Sequence, residues 1–219
     1  MVSIEKILSI PKSLYFCLKT LPFNQAIKIP ILIRYNCKII SCHGKIEIGD
    51  KVKFASIQIG FGQVGIFDKK YSRTIIELNG KIIFQGKAGF GHGSKICVGE
   101  RGILTIGNNF SNTAEGTIIC FRQININDNC TTSWNTLIMD TDFHPTIDTK
   151  TLQENLESAP ITIGNNTWIG TRSVILKNSR IPNGCIVGAN SLINKSYDLI
   201  NCLIAGNPAE IKKINITKK

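Results

Sequence analysis

Residues 163 to 198 read "IGNNTW IGTRSV ILKNSR IPNGCI VGANSL INKSYD", six consecutive sixes without a gap. Their first column is Ile163, Ile169, Ile175, Ile181, Val187 and Ile193; their fifth is Thr167, Ser173, Ser179, Cys185, Ser191 and Tyr197. A period of six matches neither a helix of 3.6 residues per turn nor a strand that alternates every second residue. It does match a prism wound from short parallel strands, in which three sixes make one coil. The aliphatic column then stacks as an interior ladder, and the small fifth column fits the cramped space inside each turn. Gly164, Gly170 and Gly188 follow the aliphatic residue and free the backbone near the corners. Successive coils pair like neighbours in a parallel sheet.

Upstream the same signature recurs with slips of two residues, in "IEIGDKVKF", "ICVGERGILTIGNNFS" and "ININDNCTTSWNTLIMD". Coils are expected from about 44 to 144 and from 161 to about 204, so residues 44–204 form one solenoid domain. "GFGQVGIFDKKYSR", from Gly60 to Arg73, breaks the period and is expected to bulge outward. Residues 145–160 are a polar excursion, and residues 205–219 a basic tail with room for a short strand or helix. The first 43 residues differ. "SIEKILSIPKSLYFCLKTLPF" places apolar residues at helical spacing with lysines between them, and Pro11 is expected to interrupt any single helix. A cap over the first coil is the ordinary reading; a basic amphipathic segment touching a membrane surface is the sharper one. The sequence leaves both open.

With 42% hydrophobic but only 7% aromatic residues, the core must be aliphatic. No apolar run reaches the length of a membrane span, and the N-terminus lacks both the unbroken apolar core and the cleavage site of a signal peptide. A cytoplasmic protein is expected. The eight cysteines are scattered and form no C-x-x-C pair, which suits small core residues in a reducing compartment better than disulfides. The net charge of +11 comes without a nucleic-acid-binding motif, so nucleic acid is not expected as a partner. A solvated basic surface is one reading. Attraction to a polyphosphate coenzyme, an acidic polysaccharide or an anionic membrane face is the other.

Chemistry points to "LIMDTDFHPTIDTK", Leu137 to Lys150. A hydroxyl is a poor nucleophile near neutral pH and needs a base for its proton before it can attack an acyl group, and histidine titrates close to neutral pH. Backbone amides at a coil corner can stabilise the tetrahedral oxyanion. No covalent relay is required for direct transfer; consistent with that, no G-x-S-x-G elbow is present and no cysteine lies near a histidine except Cys42 beside His43. His144 is the candidate base: Pro145 stiffens the exit from the coil, and the excursion behind it can wall off a pocket. In an extended strand Asp142 points to the same side as His144 and could orient the imidazole or hold an acceptor hydroxyl. An ordinary turn aspartate is the bland alternative. Counting in sixes from Ile126 through Thr132 and Ile138 lands on His144, which puts its ring inside unless the frame slips at the loop.

"SWNTLIMDTDFHP", "ITIGNNTWIGTRSVILKNSRIPNGCIVGANSLINK" and "LIAGNPAEI" together resemble the hexapeptide-repeat O-acetyltransferases. The resemblance is to the branch acting on surface polysaccharides (O-antigen, capsule), related to maltose and galactoside acetyltransferases. It covers about 44 to 212 and is strongest after 130. It implies an all-β, left-handed parallel β-helix with an N-terminal cap segment and a protruding loop, assembled as a homotrimer with sites between protomers. It further implies acetyl-CoA as donor, a saccharide acceptor, and His144 as general base. Trp168 would line the acetyl and pantetheine arm. Gly170, Ser191, Asn194 and Lys195 would run beside the coenzyme, and Gly206, Asn207 and Pro208 would mark its adenine end. Trp134 is a candidate for stacking on a sugar. Related sequences usually carry a basic residue where this chain has Glu210, with Lys212 or Lys213 as substitutes. A metal-dependent branch of the architecture needs closely spaced histidines, whereas His43, His92 and His144 lie far apart, so no metal is expected. N-acetylation of an amino sugar nucleotide, and a non-catalytic scaffold for glycan or membrane, are the competing functions.

Overall fold

The computed structural model describes residues 3–49, 53–62, 64–68 and 71–218. The chain winds around three parallel sheets that form the faces of a prism, the architecture of a left-handed parallel β-helix. The first face stacks Ile31–Ile33, Ile57–Ile59, Ala88–Phe90, Phe110–Asn112, Thr131–Thr132, Trp168–Ile169, Ile186–Val187 and Cys202–Gly206. The second stacks Lys38–Cys42, Ile75–Leu78, Lys95–Val98, Thr117–Cys120, Leu137–Met139, Val174–Leu176 and Leu192–Ile193. The third stacks Lys45–Ile48, Lys81–Phe84, Ile103–Ile106, Gln123–Ile126, Ile161–Ile163 and Arg180–Ile181.

The repeat decides the packing. Every first-column residue from Ile163 to Ile193 is fully buried, and each pairs with its equivalent one coil away: Ile163 with Ile181, Ile169 with Val187, Ile175 with Ile193. In the fifth column Thr167 and Ser173 turn their hydroxyls onto the carbonyls of Gly164 and Gly188, at 2.7 and 2.8 Å. These bonds satisfy corner carbonyls that no ladder reaches. Tyr197 is bulky in a column of small residues because the regular coils end there. Its hydroxyl donates to the Ala209 carbonyl at 2.6 Å.

The two ends differ from the sequence expectation. The solenoid begins at Ile31 rather than near 44, because Ile31–Ile33 and Lys38–Cys42 already pair in parallel with the next coil. At the other end Cys202–Gly206 completes the first face and folds back on Ala209–Ile214 as an antiparallel hairpin. Much of the basic tail is therefore a strand. Residues 60–73, where described, hold turns and no strand, in keeping with a bulge.

Pro11 does not interrupt the N-terminal helix: α1 runs from Ile4 to Thr20. Pro11 and Ile7, whose carbonyl loses its amide partner, both lie on the outward side, where water can serve that carbonyl. The inward side is polar. Ser13 accepts the Ile33 amide at 2.8 Å, Ser9 accepts that of Tyr35 at 3.0 Å, and Lys12 donates to the Cys37 carbonyl at 2.8 Å. These groups cover the free edge of the first strand and its turn, which would otherwise be open to another chain. A four-residue helix α2, Phe23–Ala26, leads into the first coil.

Candidate functional site

The chain leaves the second face after Leu137–Met139 and rejoins the third at Ile161–Ile163, so the excursion departs from the edge between those faces. Asp140 fixes the point of departure. Its carboxylate is fully buried and accepts three consecutive amides of the preceding corner: Phe121 at 2.7 Å, Arg122 at 2.9 Å and Gln123 at 2.7 Å. One anion thus gathers a nest of backbone donors. The Asp140 carbonyl also accepts the Ala159 amide at 3.0 Å, and the Asp142 amide donates to Glu157 at 2.8 Å, which closes the neck of the loop. Beyond the neck, Thr146–Ile147 and Glu154–Asn155 pair as an antiparallel hairpin. Asp148 caps its tip by accepting the amides of Lys150 and Thr151, both at 2.8 Å. These bonds hold the Asp148 carboxyl below the usual carboxylate range.

His144 lies on this arm and is exposed. The six-residue count that would drive it into the core fails because the frame slips at Asp140: the next inward position of the third face is Ile161, fully buried and paired with Ile124. Among the described residues no hydrogen bond engages the His144 side chain. The expectation that Asp142 shares its side does not hold as stated, since the segment is not extended there. Phe143 adopts φ 63°, which turns the chain between the two residues. Asp142 instead meets Lys177 at 2.7 Å, and Lys177 also donates to the Leu156 carbonyl. Phe143 packs its ring edge-on against Phe121, with centroids 4.9 Å apart. Arg122 donates to the Ser158 carbonyl at 3.2 Å. The base of the arm is thus pinned to the coils above and below.

Beside the neck, on the same edge, runs an open groove of about 600 Å³ lined by Glu77, Asn79, Gly99, Glu100, Arg101, Phe121, Arg122, Glu157 and Ser158. Its rim carries both cations and carboxylates.

The remaining predicted residues fall into two groups. Trp168 stands outward on the first face, 42% exposed, with its indole N–H donating to Ser133 at 3.1 Å. Trp134 is half-buried at the corner just upstream, where its carbonyl accepts the Thr171 hydroxyl at 2.9 Å. Gly170 and Ser191 turn the edge between the first and second faces. Gly206 joins them, its amide donating to Ser191 at 3.1 Å, while Asn207 and Pro208 form the exposed hairpin tip. Gly170, Gly188 and Gly206 recur every eighteen residues along this edge. A Cβ on Gly170 would lie 2.7 Å from the Ala189 nitrogen, and one on Gly188 2.7 Å from the Ala205 Cβ, so neither position takes a larger residue without a shift. The glycines are thus required by the close approach of successive coils at this edge, where Gly170 is buried, Gly188 half-buried and Gly206 exposed.

Asn194 and Lys195 are elsewhere. They are exposed at the edge between the second and third faces, where the His144 arm also departs, and Lys195 lies 5.7 Å from the Tyr197 ring. Glu210 stands in the terminal strand, 3.5 Å from Lys212. Within one chain, then, His144 is separated from Trp168 and the glycine column by the width of the second face.

Among the described residues no cluster of His, Cys, Asp or Glu is arranged to hold a metal ion. All eight cysteines are free thiols. Burial pushes Cys17 up to about 11 and Cys37 up to about 12, which keeps both protonated near neutrality. The residues that sequence reasoning missed are Asp140 and Ser133. The signal for Asp140 was an acidic residue closing an aliphatic strand where the period stops; nothing marked Ser133.

A family model described as bacterial transferase hexapeptide (six repeats) matches residues 160–195. Galactoside O-acetyltransferase of Escherichia coli K12 is 34% identical over 113 residues, 51% of this chain and 55% of the relative. WbbJ of the same organism, which carries the name of a lipopolysaccharide biosynthesis O-acetyl transferase, is 44% identical over 61 residues, 27% of this chain and 31% of the relative. The matches thus span about a third to about a half of the length of these curated relatives. Among solved structures, the polySia specific acetyltransferase NeuO shares the fold, with a TM-score of 0.51 and 22% identity over 86% of this chain and 78% of that one.

Proposed function

We propose that this chain, whose residues 160–195 are hexapeptide repeats of the bacterial transferase type, is an acetyl-CoA-dependent O-acetyltransferase acting on a sugar hydroxyl of a surface polysaccharide or its precursor. The observation that carries the reading is His144 itself. It is an exposed imidazole with no hydrogen-bond partner among the described residues, held on an arm that Asp140, Phe143 and Lys177 fix to a rigid wall. A base must reach a substrate proton, and one engaged by its own fold could not. In the proposed reaction His144 removes the acceptor proton as the hydroxyl oxygen attacks the acetyl carbonyl, then gives that proton to the departing sulfur as the tetrahedral intermediate collapses, so that coenzyme A leaves as the thiol.

Trp168 and the exposed Gly206 end of the glycine column fit a coenzyme arm, because the indole offers a flat apolar wall beside that edge. Their separation from His144 favours a site completed between protomers, with the arm of one chain meeting the glycine edge of its neighbour, as in the proposed homotrimer. Lys195 and Asn194, on the His144 edge, would then face the same shared cleft. The reading places the enzyme in the cytoplasm, where acetyl-CoA is available.

The test is acetyl-CoA-dependent transfer to candidate glycans, followed as thiol release, by wild type and His144→Ala. Loss of a general base should lower the rate by about 10²–10⁴-fold, with thermal stability unchanged because the ring is exposed and unbonded. Equal rates would remove His144 from the chemistry. An alkali-labile product is an ester; an alkali-stable one would shift the reading to N-acetylation.

A further inference from the structure

The N-terminal helix is amphipathic in the inverted sense. Its buried residues are Ser9, Ser13, Phe16, Cys17 and Thr20, mostly small and polar, whereas its outward residues are Ile4, Ile7, Leu8, Pro11, Tyr15 and Leu18. These six recur at spacings of three and four and so form one continuous stripe along the outer face. Ile4 is 76% exposed, Leu8 57% and Tyr15 53%. Phe23 at 71% and Ile27 at 54% extend the surface past the end of α1. The inversion has a cause on the inner side: serine hydroxyls are needed there to satisfy the free edge of the first coil. Nothing in the fold requires the outer side to be apolar. A stripe of this length exposed to water marks a surface that something else covers.

We propose that this face rests on an anionic lipid bilayer, with the helix lying in the plane of the interface. Charge selects that occupant. Residues 1–43 hold six Lys and Arg against one acidic side chain, Glu5, and Glu5 is already paired with Arg34 at 2.9 Å. Lys19, whose ammonium lies 6.0 Å from the Tyr15 ring, and Lys28 are exposed beside the apolar stripe, where lipid phosphates can reach them. A second copy docked on the same face would set those lysines against their own equivalents. Among the described residues no helix is long and apolar enough to cross a membrane, so the contact is peripheral. Shallow burial of such a face together with lysine–phosphate attraction is the pattern of an interfacial helix. Located at one end of the prism, the contact would hold the His144 arm at a fixed height above the surface.

The inference stands apart from the acetyl-transfer reading, since the residues that test it touch neither the arm nor the glycine column. The measurement is sedimentation of the full chain with vesicles of phosphatidylglycerol and phosphatidylcholine, and with vesicles of phosphatidylcholine alone. Wild type should bind the anionic vesicles more tightly, and added salt should weaken that binding. Ile7→Glu with Leu18→Glu, both at exposed positions, should weaken it at least about tenfold without loss of fold by circular dichroism. Lys19→Glu with Lys28→Glu should also weaken it, by about fivefold or more per lysine. No sedimentation with anionic vesicles, or equal binding by the Ile7/Leu18 variant, would overturn the proposal. So would a change in the oligomeric state of the Ile7/Leu18 variant without lipid, which would show that another copy covers the face.

Discussion

The coils from Ile161 to Ser196 and those from Thr74 to Asp140 share one interior and differ only at their corners. In the later stretch, partners such as Ile163 and Ile181 are eighteen residues apart. In the earlier one, Leu104 and Ile124 are twenty apart and Ile82 and Leu104 twenty-two. Yet the residue entering the second face is small in every coil: Thr74, Ser94, Gly116, Thr136, Ser173 and Ser191, each accepting the ladder amide of the coil before where one exists. All six are buried. The aliphatic ladder and the small-residue column therefore set the prism, while the corners are free to lengthen. The excursion that carries His144 is the same freedom used to a larger extent: one corner stretched from a few residues to about twenty, with the ladder resuming in register behind it.

That comparison is broken most severely at Asp140, which joins the ordinary corner to the extended one. Asp140→Ala removes the acceptor of three backbone amides, and bonds to a buried carboxylate are among the stronger ones. A loss of about 3–5 kcal/mol is expected in denaturant unfolding, with Asp140→Asn recovering part of it. A loss below about 1 kcal/mol would mean that the long corner is anchored by its aromatic and lysine contacts instead.

This bears on what could be read from the residues alone. The six-residue columns after 161 identify the prism because each column has one chemistry: aliphatic inside, small at the turn. Upstream the columns are intact but out of step, since every lengthened corner adds residues that carry no inward side chain. The start at Ile31 escaped notice for a related reason. Ile31 to Ile33 is a run of three aliphatic residues, with no alternation to separate it from the helix before it. Pro11 misled because the proline rule weighs the helix alone, whereas here Ser9, Lys12 and Ser13 tie the helix to the first coil on both sides of the proline. At the candidate site, the sequence marked the break in period and the proline beside His144. It did not mark the surroundings, because Lys177 and Phe121 lie a full coil away and only the winding brings them to Asp142 and Phe143.

A sharper form of the comparison substitutes the small column in both regions. Ser173→Leu and Ser94→Leu each place a bulky group at a buried turn and remove a hydroxyl that donates at 2.8 Å to Gly188 and at 2.7 Å to Gly91, respectively. Each should cost about 2–4 kcal/mol, from overpacking together with a lost hydrogen bond. Equal costs by thermal unfolding would establish that the two regions are one repeat. A much smaller cost at Ser94 would show that the longer upstream corners leave slack inside the prism as well as outside it.

The smallest effect belongs to Asp142, which the sequence reading had offered as a partner of His144 and which instead pairs with Lys177. Asp142→Asn breaks the contact with Lys177, a pair in which the carboxylate side chain remains 43% exposed. Exposed pairs contribute little, so the expected loss of stability is below about 1 kcal/mol. Lys177→Gln should match it, and the double variant should lose less than the two single losses combined, because the second change finds no pair left to break. Activity discriminates further. If Asp142 serves mainly to tether the arm, transfer should fall by less than about tenfold, far short of the effect expected for His144→Ala. A fall as large as that of His144→Ala would mean that in the working assembly Asp142 leaves Lys177 and turns to the imidazole, reversing the φ 63° bend at Phe143 that now parts them.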